Sequence, residues 1–313
     1  MDSYLAVDIG GSKYIVALVS AAGEVLAQTR DRWRALTAEC VLEQVLEASR
    51  ALLKSTGATP AAAGVTIPGL ADPERGLWVE ASFSGIRDFP ICAALSQALS
   101  MPVYCENDGQ AYALAEMRFG ACRDARDFLF MNISNGIGGA IVSGGRLVNG
   151  SRGSAGEFGH CVAVEGGRAC KCGLHGCLEM HAAGPGIARN YAEMGGAPDE
   201  HGGPADASLI AERARSGDQI ARDTFALEGE LLGRVAATAV NLLNPRKLVI
   251  GGGVSLAFDL FGPSLTRAIG SHIYRAANPD LEILPTPLGY LAGLYGAASI
   301  AALGHERKGN TLL

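Results

Sequence analysis

The sequence predicts an α/β protein built from two related halves, and three observations carry that expectation. A pattern of strand, glycine turn, strand, turn, strand occurs twice. It runs as DIGGSKYIVALVSAAGEVL from Asp8 and as NISNGIGGAIVSGGRLV from Asn132, with one residue deleted in the second turn. Apolar, β-branched runs alternate along the chain with stretches of helical spacing. The length of 313 residues, with 48% apolar residues and 42 glycines, allows well-buried cores and excludes a disordered chain. Two related halves imply a ligand cleft between them.

Taken in order, Tyr4 to Asp8 is a strand that runs into a turn at Gly10 and Gly11, and Tyr14 to Val19 returns from it. Val25 to Thr29 is a third strand. From Glu39 to Lys54, Val41, Leu42, Val45, Leu46, Leu52 and Leu53 recur at helical spacing and predict a helix packed on that sheet. Short strands follow at Gly64 to Ile67 and Val103 to Cys105, and Asp108 precedes a helix-forming run closed by Gly120. At that position Asp108 reads as a helix cap or as a functional carboxylate.

Phe128 to Ile133, Ala140 to Val142 and Arg146 to Val148 repeat the first meander. Ser208 to Leu243 is helical with a break near Gly217 and a stop at Asn244-Pro245. Lys247 to Ile250 is a buried strand ending in Gly251, Gly252 and Gly253, where a backbone can approach a ligand closely. Pro287 to Gly304 carries no charge but is interrupted by Gly289, Gly293 and Gly296, so it is expected to be a buried helix packed through small residues. The tail from Arg307 to Leu313 is expected to fray.

The bulk chemistry narrows the partners. A net charge of -6 argues against nucleic acid or an anionic membrane. Met1 is followed by a polar pair and then by YLAVDIG, so no signal peptide is expected. Cys40, Cys92, Cys105, Cys122 and Cys161 stand among apolar neighbours as reduced core thiols do, which fits a cytoplasmic protein.

The densest chemistry lies between Gly153 and Glu179. Cys170, Cys172 and Cys177, with His160 ten residues upstream, form a ligand set suited to a closed, structural Zn²⁺ site. Four protein ligands leave no open position for metal-bound water, so metal-dependent hydrolysis is a poor reading. His175 and His181 lie nearby as spare ligands, His175 at the surface. Glu157 and Glu179 bracket the loop, so a metal that folds it also fixes two carboxylates. Neither glycine turn is a P-loop, yet two hairpins with exposed N–H groups can cradle phosphates. Asp8 stands where Mg²⁺ needs a carboxylate.

DIGGSK (Asp8 to Lys13), ENDGQA (Glu106 to Ala111), NGIGG (Asn135 to Gly139), GSAGEFGH (Gly153 to His160), CKCGLHGCLE (Cys170 to Glu179) and VIGGGV (Val249 to Val254) together resemble the ROK family of repressors, open reading frames and sugar kinases, over nearly the whole chain. The resemblance implies a two-domain actin-like ATPase (ribonuclease H-like) fold. Its small domain would comprise residues 1–107 plus about 294–313, and its large domain residues 108–293 with the zinc loop 153–179.

The resemblance further implies ATP and Mg²⁺ held by Asp8, Gly10, Gly11, Ser12, Lys13, Asn135, Gly136, Gly138, Gly139, Gly252 and Gly253. It implies a hexose or N-acylhexosamine held by Gly69, Ser82, Asn107, Asp108, Glu157, His160 and Glu179, with Asp108 as the catalytic base. His160 would serve zinc through one ring nitrogen and sugar through the other. Ser82 stands where many sugar kinases of the family have Asn. The expected partners are sugar and ATP, in a homo-oligomer, dimer or tetramer. The alternative is a sugar-sensing regulator without catalysis, disfavoured because no helix-turn-helix precedes the first strand and Asp108 is retained.

Overall fold

The computed structural model describes residues 2–81 and 84–310, with side chains to residue 307. Ser82, a candidate sugar ligand, lies outside the described residues. Contacts divide the chain into two units. Unit 1 holds Met1–Arg123, Asn149–Ala155 and Tyr290–Leu313, and unit 2 holds Asp124–Val148 and Gly156–Gly289.

Unit 1 opens with the meander β1 (Ser3–Ile9), β2 (Lys13–Ser20) and β3 (Val25–Arg32). Helix α1 (Ala38–Thr56) starts at Thr37, whose side chain accepts the Cys40 N–H, and stops at Gly57 in the left-handed region, φ 65°. After β4 (Ala62–Ile67) come β5 (Leu70–Asp72), β6 (Leu77–Ala81) and β7 (Ile86–Phe89), a separate three-stranded sheet that the apolar pattern did not announce. Helix α2 (Ile91–Leu99), β8 (Val103–Asn107) and α3 (Asp108–Arg118) follow.

Unit 2 contains β9 (Phe128–Ile133), β10 (Ile137–Ser143) and β11 (Arg146–Leu147), then α4 (Leu178–Ala182) and α5 (Gly184–Glu193). Helices α6 (Ala207–Arg215) and α7 (Gln219–Leu243) are the predicted helical region, broken at Gly217, φ 106°, and each is capped by an aspartate, Asp206 and Asp218. β12 (Lys247–Gly251), α8 (Phe258–His272) and β13 (Glu282–Pro285) complete the unit. The last helix, α9 (Ala292–Asn310), returns to unit 1.

The internal repeat is a repeat of topology. The main sheet of unit 1 has the order β3-β2-β1-β4-β8 and that of unit 2 the order β11-β10-β9-β12-β13. In both, the first three strands are antiparallel and the last two join parallel. Asp8 pairs with Ile15 and Asn132 with Gly138, so the two residues occupy equivalent places. The first turn encloses Gly10, Gly11, Ser12 and Lys13, and its counterpart only Ser134, Asn135 and Gly136. The next turn is also one residue shorter in unit 2, between Val142 and Leu147 rather than Val19 and Val25. Strand pairing thus places a deletion at both turns, where the sequence comparison placed one.

Alternation along β1 sends Leu5, Val7 and Ile9 to one face, against Val41, Val45 and Leu52 of α1 and Ile91 and Leu95 of α2. Ala6, with Ala17 and Val19 of β2, faces the other way, onto Leu294, Ala297 and Ala298 of α9. That second interface is built from small residues because the helix approaches closely: a Cβ at Gly64 would overlap the Ala297 carbonyl. The buried helix expected from Pro287 to Gly304 is therefore present, but it starts at Ala292 and runs to Asn310, into the stretch expected to fray, whose last three residues lie outside the described residues. Among the described residues, no helix is long and apolar enough to cross a membrane. In unit 2, Leu129, Met131 and Ile133 pack with Leu178, Ile187, Phe225, Leu232, Phe261 and Leu265.

Helix α3 belongs to unit 1, whereas the boundary drawn from the sequence lay just before it. The reason is its neighbour: Gly296 of α9 lies against the Ala111 backbone, with no room for a side chain. Two cysteines differ from the expectation of core thiols. Cys161 is exposed and Cys40 half-buried, while Cys92, Cys105 and Cys122 are buried.

Candidate functional site

Strand order alone brings the first cluster together. Asp8 on β1 lies beside Thr66 on β4, which lies beside Glu106 on β8. The Thr66 hydroxyl donates to Asp8 Oδ1 at 2.7 Å. Burial pushes the Asp8 carboxyl up, opposed by the Thr66 hydrogen bond and the Lys13 charge. Gly293, in the first turn of α9, packs against the carboxylate so closely that only glycine fits there. Burial also pushes Glu106 up to about 7, opposed by the Asn107 N–H and by Arg307.

At the start of α3 the cap is Asn107, not Asp108. Asn107 still has extended backbone, ψ 147°, and its Oδ1 accepts the Gly109 N–H at 2.9 Å. Its amide also donates to the Gly69 carbonyl, so two candidate sugar ligands touch each other. Asp108 is the first helical residue, and its Oδ1 shares the Gly109 N–H at 2.8 Å. One turn further on, Tyr112 is pushed well up by burial first, and then by the charges of Asp8 and Asp108. Both carboxylates therefore act on one phenol, a juxtaposition that no spacing in the sequence signalled.

The first glycine turn closes through Gly10 N–H to Lys13 O at 2.9 Å and is braced from outside by Trp33, whose indole N–H donates to Gly10 O at 2.8 Å. Gly11 and Ser12 are exposed. A Cβ at Gly11, Gly138 or Gly253 would meet no atom within 4 Å, so the protein's own packing does not demand glycine at these three positions. Gly139 and Gly252 differ. A side chain at Gly139 would overlap the Phe158 ring, and Gly252, φ 83°, lies against the Ile133 carbonyl. In the second turn Ser134 N–H bonds Gly136 O at 2.9 Å, and Asn135 is exposed.

The metal loop brings its four predicted ligands together: one donor atom each from His160, Cys170, Cys172 and Cys177 lie within 4.8 Å of one another. Cys172 Sγ and Cys177 Sγ are 3.6 Å apart, too far for a disulfide and close to the ~3.8 Å edge of a tetrahedron with ~2.3 Å metal–sulfur bonds. His160 turns Nδ1 toward Cys170 Sγ, 3.8 Å away. Burial and the neighbouring thiols push Cys177 up to about 12, the crowding that a bound cation relieves. The donor set and spacing fit a soft or borderline metal ion.

His181 is not in this cluster. It is buried, its Nε2 accepts the Arg168 N–H at 3.1 Å, and burial first and then Arg168 lower it. Sequence reasoning passed over Arg168. Its guanidinium donates to Met180 O at 3.0 Å, Asn190 Oδ1 at 2.7 Å and Glu193 Oε2 at 2.7 Å, tying the metal loop to α4 and α5. His175 is exposed, as expected.

Glu157, His160 and Glu179 form the last cluster. The Glu157 carboxyl is pushed up by the desolvating protein around it and by Glu179, with His160 opposing, although the residue reaches solvent. Glu179 Oε2 accepts the Ile137 N–H at 3.0 Å. Unit 1 thus carries Asp8, the first turn, Gly69, Asn107 and Asp108, and unit 2 carries the second turn, Gly252, Gly253, Glu157, Glu179 and the metal ligands.

The ROK family pattern matches residues 4–303. A glucokinase of Thermotoga maritima is 32% identical over 95% of this chain and 96% of its own length. An N-acetylmannosamine kinase of Escherichia fergusonii is 33% identical over 95% of this chain and 97% of its own. The crystal structure of a ROK family glucokinase from Streptomyces griseus, in complex with glucose and AMPPNP, superposes with a TM-score of 0.84 at 30% identity, covering 96% of this chain and 100% of that one.

Proposed function

The chain belongs to the ROK family and has the actin-like α/β fold of its sugar kinases, and from that premise we propose that it is an ATP-dependent sugar kinase acting on the 6-hydroxyl of a hexose or N-acylhexosamine. The observation that carries this reading is the placement of Asp8 and Asp108 at one end of the unit 1 sheet: Asp8 on β1 is in register with Thr66 and, through it, with Glu106 on β8, and Asp108 opens α3 directly after that strand. Phosphoryl transfer needs two carboxylates with different tasks in one place, one near the metal–phosphate and one at the attacking hydroxyl.

In this reading Asp108 accepts the proton of the 6-hydroxyl as its oxygen attacks the γ-phosphorus and ADP leaves. Asn107, Glu157, His160 and Glu179 take hydrogen bonds from or give them to the other hydroxyls, with Gly69 beside Asn107. The backbone N–H groups of Gly10, Gly11, Ser12, Asn135, Gly136, Gly138, Gly139, Gly252 and Gly253, with Lys13, line the phosphates. Asp8 is half-buried with its carboxyl pushed up; it would gain from a cation and would hold Mg²⁺, whose chemistry there would be to neutralise phosphate charge. His160, Cys170, Cys172 and Cys177 would hold Zn²⁺ as a structural ion, which would fix the loop that carries Glu157 and Glu179.

The relatives named above direct the test. ADP release is followed with glucose, N-acetylmannosamine, N-acetylglucosamine, mannose, fructose and allose, and one strongly preferred sugar is expected. A sugar that raises the Tm without ever being phosphorylated would instead point to a sugar-sensing regulator.

A further inference from the structure

Gly136 and Glu179 come from motifs that serve different substrates in the proposed reaction, one in the turn for ATP phosphates and one in the loop for the sugar. In the fold they are a single contact. Glu179 Oε2 accepts the Ile137 N–H at 3.0 Å, and a Cβ at Gly136 would stand 2.6 Å from the same oxygen. Gly136 is not among the glycines with positive φ, so the backbone does not demand glycine there. What crowds the position is the Glu179 carboxylate. At Gly138, two residues on, a Cβ has open space.

Both partners of the contact are fixed by the same segment. Glu179 is the second residue of α4, directly after the ligand Cys177 and Leu178, whose N–H bonds Cys161 O at 2.8 Å. The opposite end of the turn, Ser134 O, accepts the Gly184 N–H at 2.8 Å, at the start of α5. The chain from Cys177 to Gly184 therefore grips the turn at both ends, through a backbone bond at one and a carboxylate oxygen at the other.

We propose that Gly136 and Ile137 are positioning residues for the sugar carboxylate Glu179, and that this contact couples sugar binding to nucleotide binding. The proposal rests on the reading of Glu179 as a sugar ligand. Oε2 is committed to the turn and Oε1 is presented to a hydroxyl, so each substrate orders a group that the other needs. Coupling of this kind is reciprocal: nucleotide tightens sugar by the factor by which sugar tightens nucleotide.

The test uses the full chain and the sugar that the wild type phosphorylates best. Gly136→Ala pushes Oε2 away and is expected to weaken sugar binding, measured by calorimetry without nucleotide, by about tenfold, the size of one charge-assisted hydrogen bond. Gly138→Ala is expected to change the KM for ATP and leave sugar affinity alone. The coupling is overturned if Gly136→Ala raises only the KM for ATP. Glu179→Asp, which withdraws Oε2 from Ile137, supplies a second reading should Gly136→Ala fail to fold. It is expected to raise the KM for ATP about fivefold at saturating sugar, and an unchanged value overturns the proposal. If the wild type phosphorylates none of the sugars, the kinase reading itself fails; wild-type turnover with unaltered variants refutes only the coupling.

Discussion

The two glycine hairpins share strand order, strand sense and a glycine-rich turn, yet they are held by opposite chemistry. The first is braced at a carbonyl: Trp33 donates to Gly10 O, and its ring packs 4.5 Å from that of Tyr14. The second is braced at an N–H, with Glu179 accepting from Ile137. The first hairpin is preceded by Asp8 and carries Lys13, whereas Asn132 occupies the place of Asp8 in the second. One scaffold, used twice, thus carries charge in the first hairpin and neutral N–H groups in the second.

The largest test of that division removes the charge. Asp108→Asn is expected to lower kcat by about 10³-fold with little change in KM for sugar. Asp8→Asn, which makes the first hairpin resemble the second, is expected to lower kcat by roughly 10²-fold and to raise the Mg²⁺ concentration needed for half-maximal rate. Near wild-type turnover in Asp108→Asn would falsify its role as base. The converse change, Asn132→Asp, adds a carboxylate beside the second turn. It should raise the KM for ATP by about tenfold, and steady-state kinetics at fixed Mg²⁺ would read it out.

Metal removal probes the brace of the second hairpin. Chelation, or Cys172→Ser, loosens the loop holding Glu179 and is expected to raise the KM for sugar by about tenfold, with a smaller rise for ATP carried through Ile137. Equal, large losses together with a collapsed Tm would mean global unfolding instead. Trp33→Phe keeps the ring stacked on Tyr14 but frees Gly10 O. A rise of about threefold in KM for ATP, with the KM for sugar unmoved, corresponds to one hydrogen bond of under ~1 kcal/mol.

The smallest effect concerns the cores. In unit 1 the buried Glu116 accepts the Ala121 N–H and the buried Glu106 the Asn107 N–H, but Glu228 on α7 of unit 2 is fully buried with neither oxygen bonded. Burial pushes Glu228 well above 4.5. The folded chain therefore keeps a proton that the unfolded chain releases, and stability falls as pH rises from about 4.5 toward the raised value. Glu228→Met abolishes that slope. It should raise Tm by roughly 3 °C at pH 8 and by less at pH 5, as thermal melts across that range would show; an equal gain at both would mean that packing, not charge, is responsible.

Local patterns made much of this legible in the sequence. The hairpins announce themselves because alternation and glycine turns are short-range signals, and the metal loop because its ligands lie close together in the chain. The helix break at Gly217 and the small-residue helix after Pro287 follow from the same kind of cue. The sheet of β5, β6 and β7 was silent because short strands without alternation carry little period. The cap fell one residue early, on Asn107, because Asp and Asn compete equally for that place and only the extended ψ decides. Arg168 and the bond from Glu179 to Ile137 were hidden for another reason. They join residues 12 to 42 positions apart, and two of the partners, Ile137 N–H and Met180 O, are backbone atoms, which carry no residue identity to read.

The order in which unit 1 is assembled has a consequence during synthesis. Its first sheet emerges early, but the face formed by Ala6, Ala17 and Val19 packs against Leu294, Ala297 and Ala298 of α9, at the far end of the chain. All of unit 2 is translated in between. On the ribosome the later unit can close first, while the earlier one waits with an apolar face bare. A nascent chain halted before Tyr290 is therefore the species most exposed to chaperones and to aggregation.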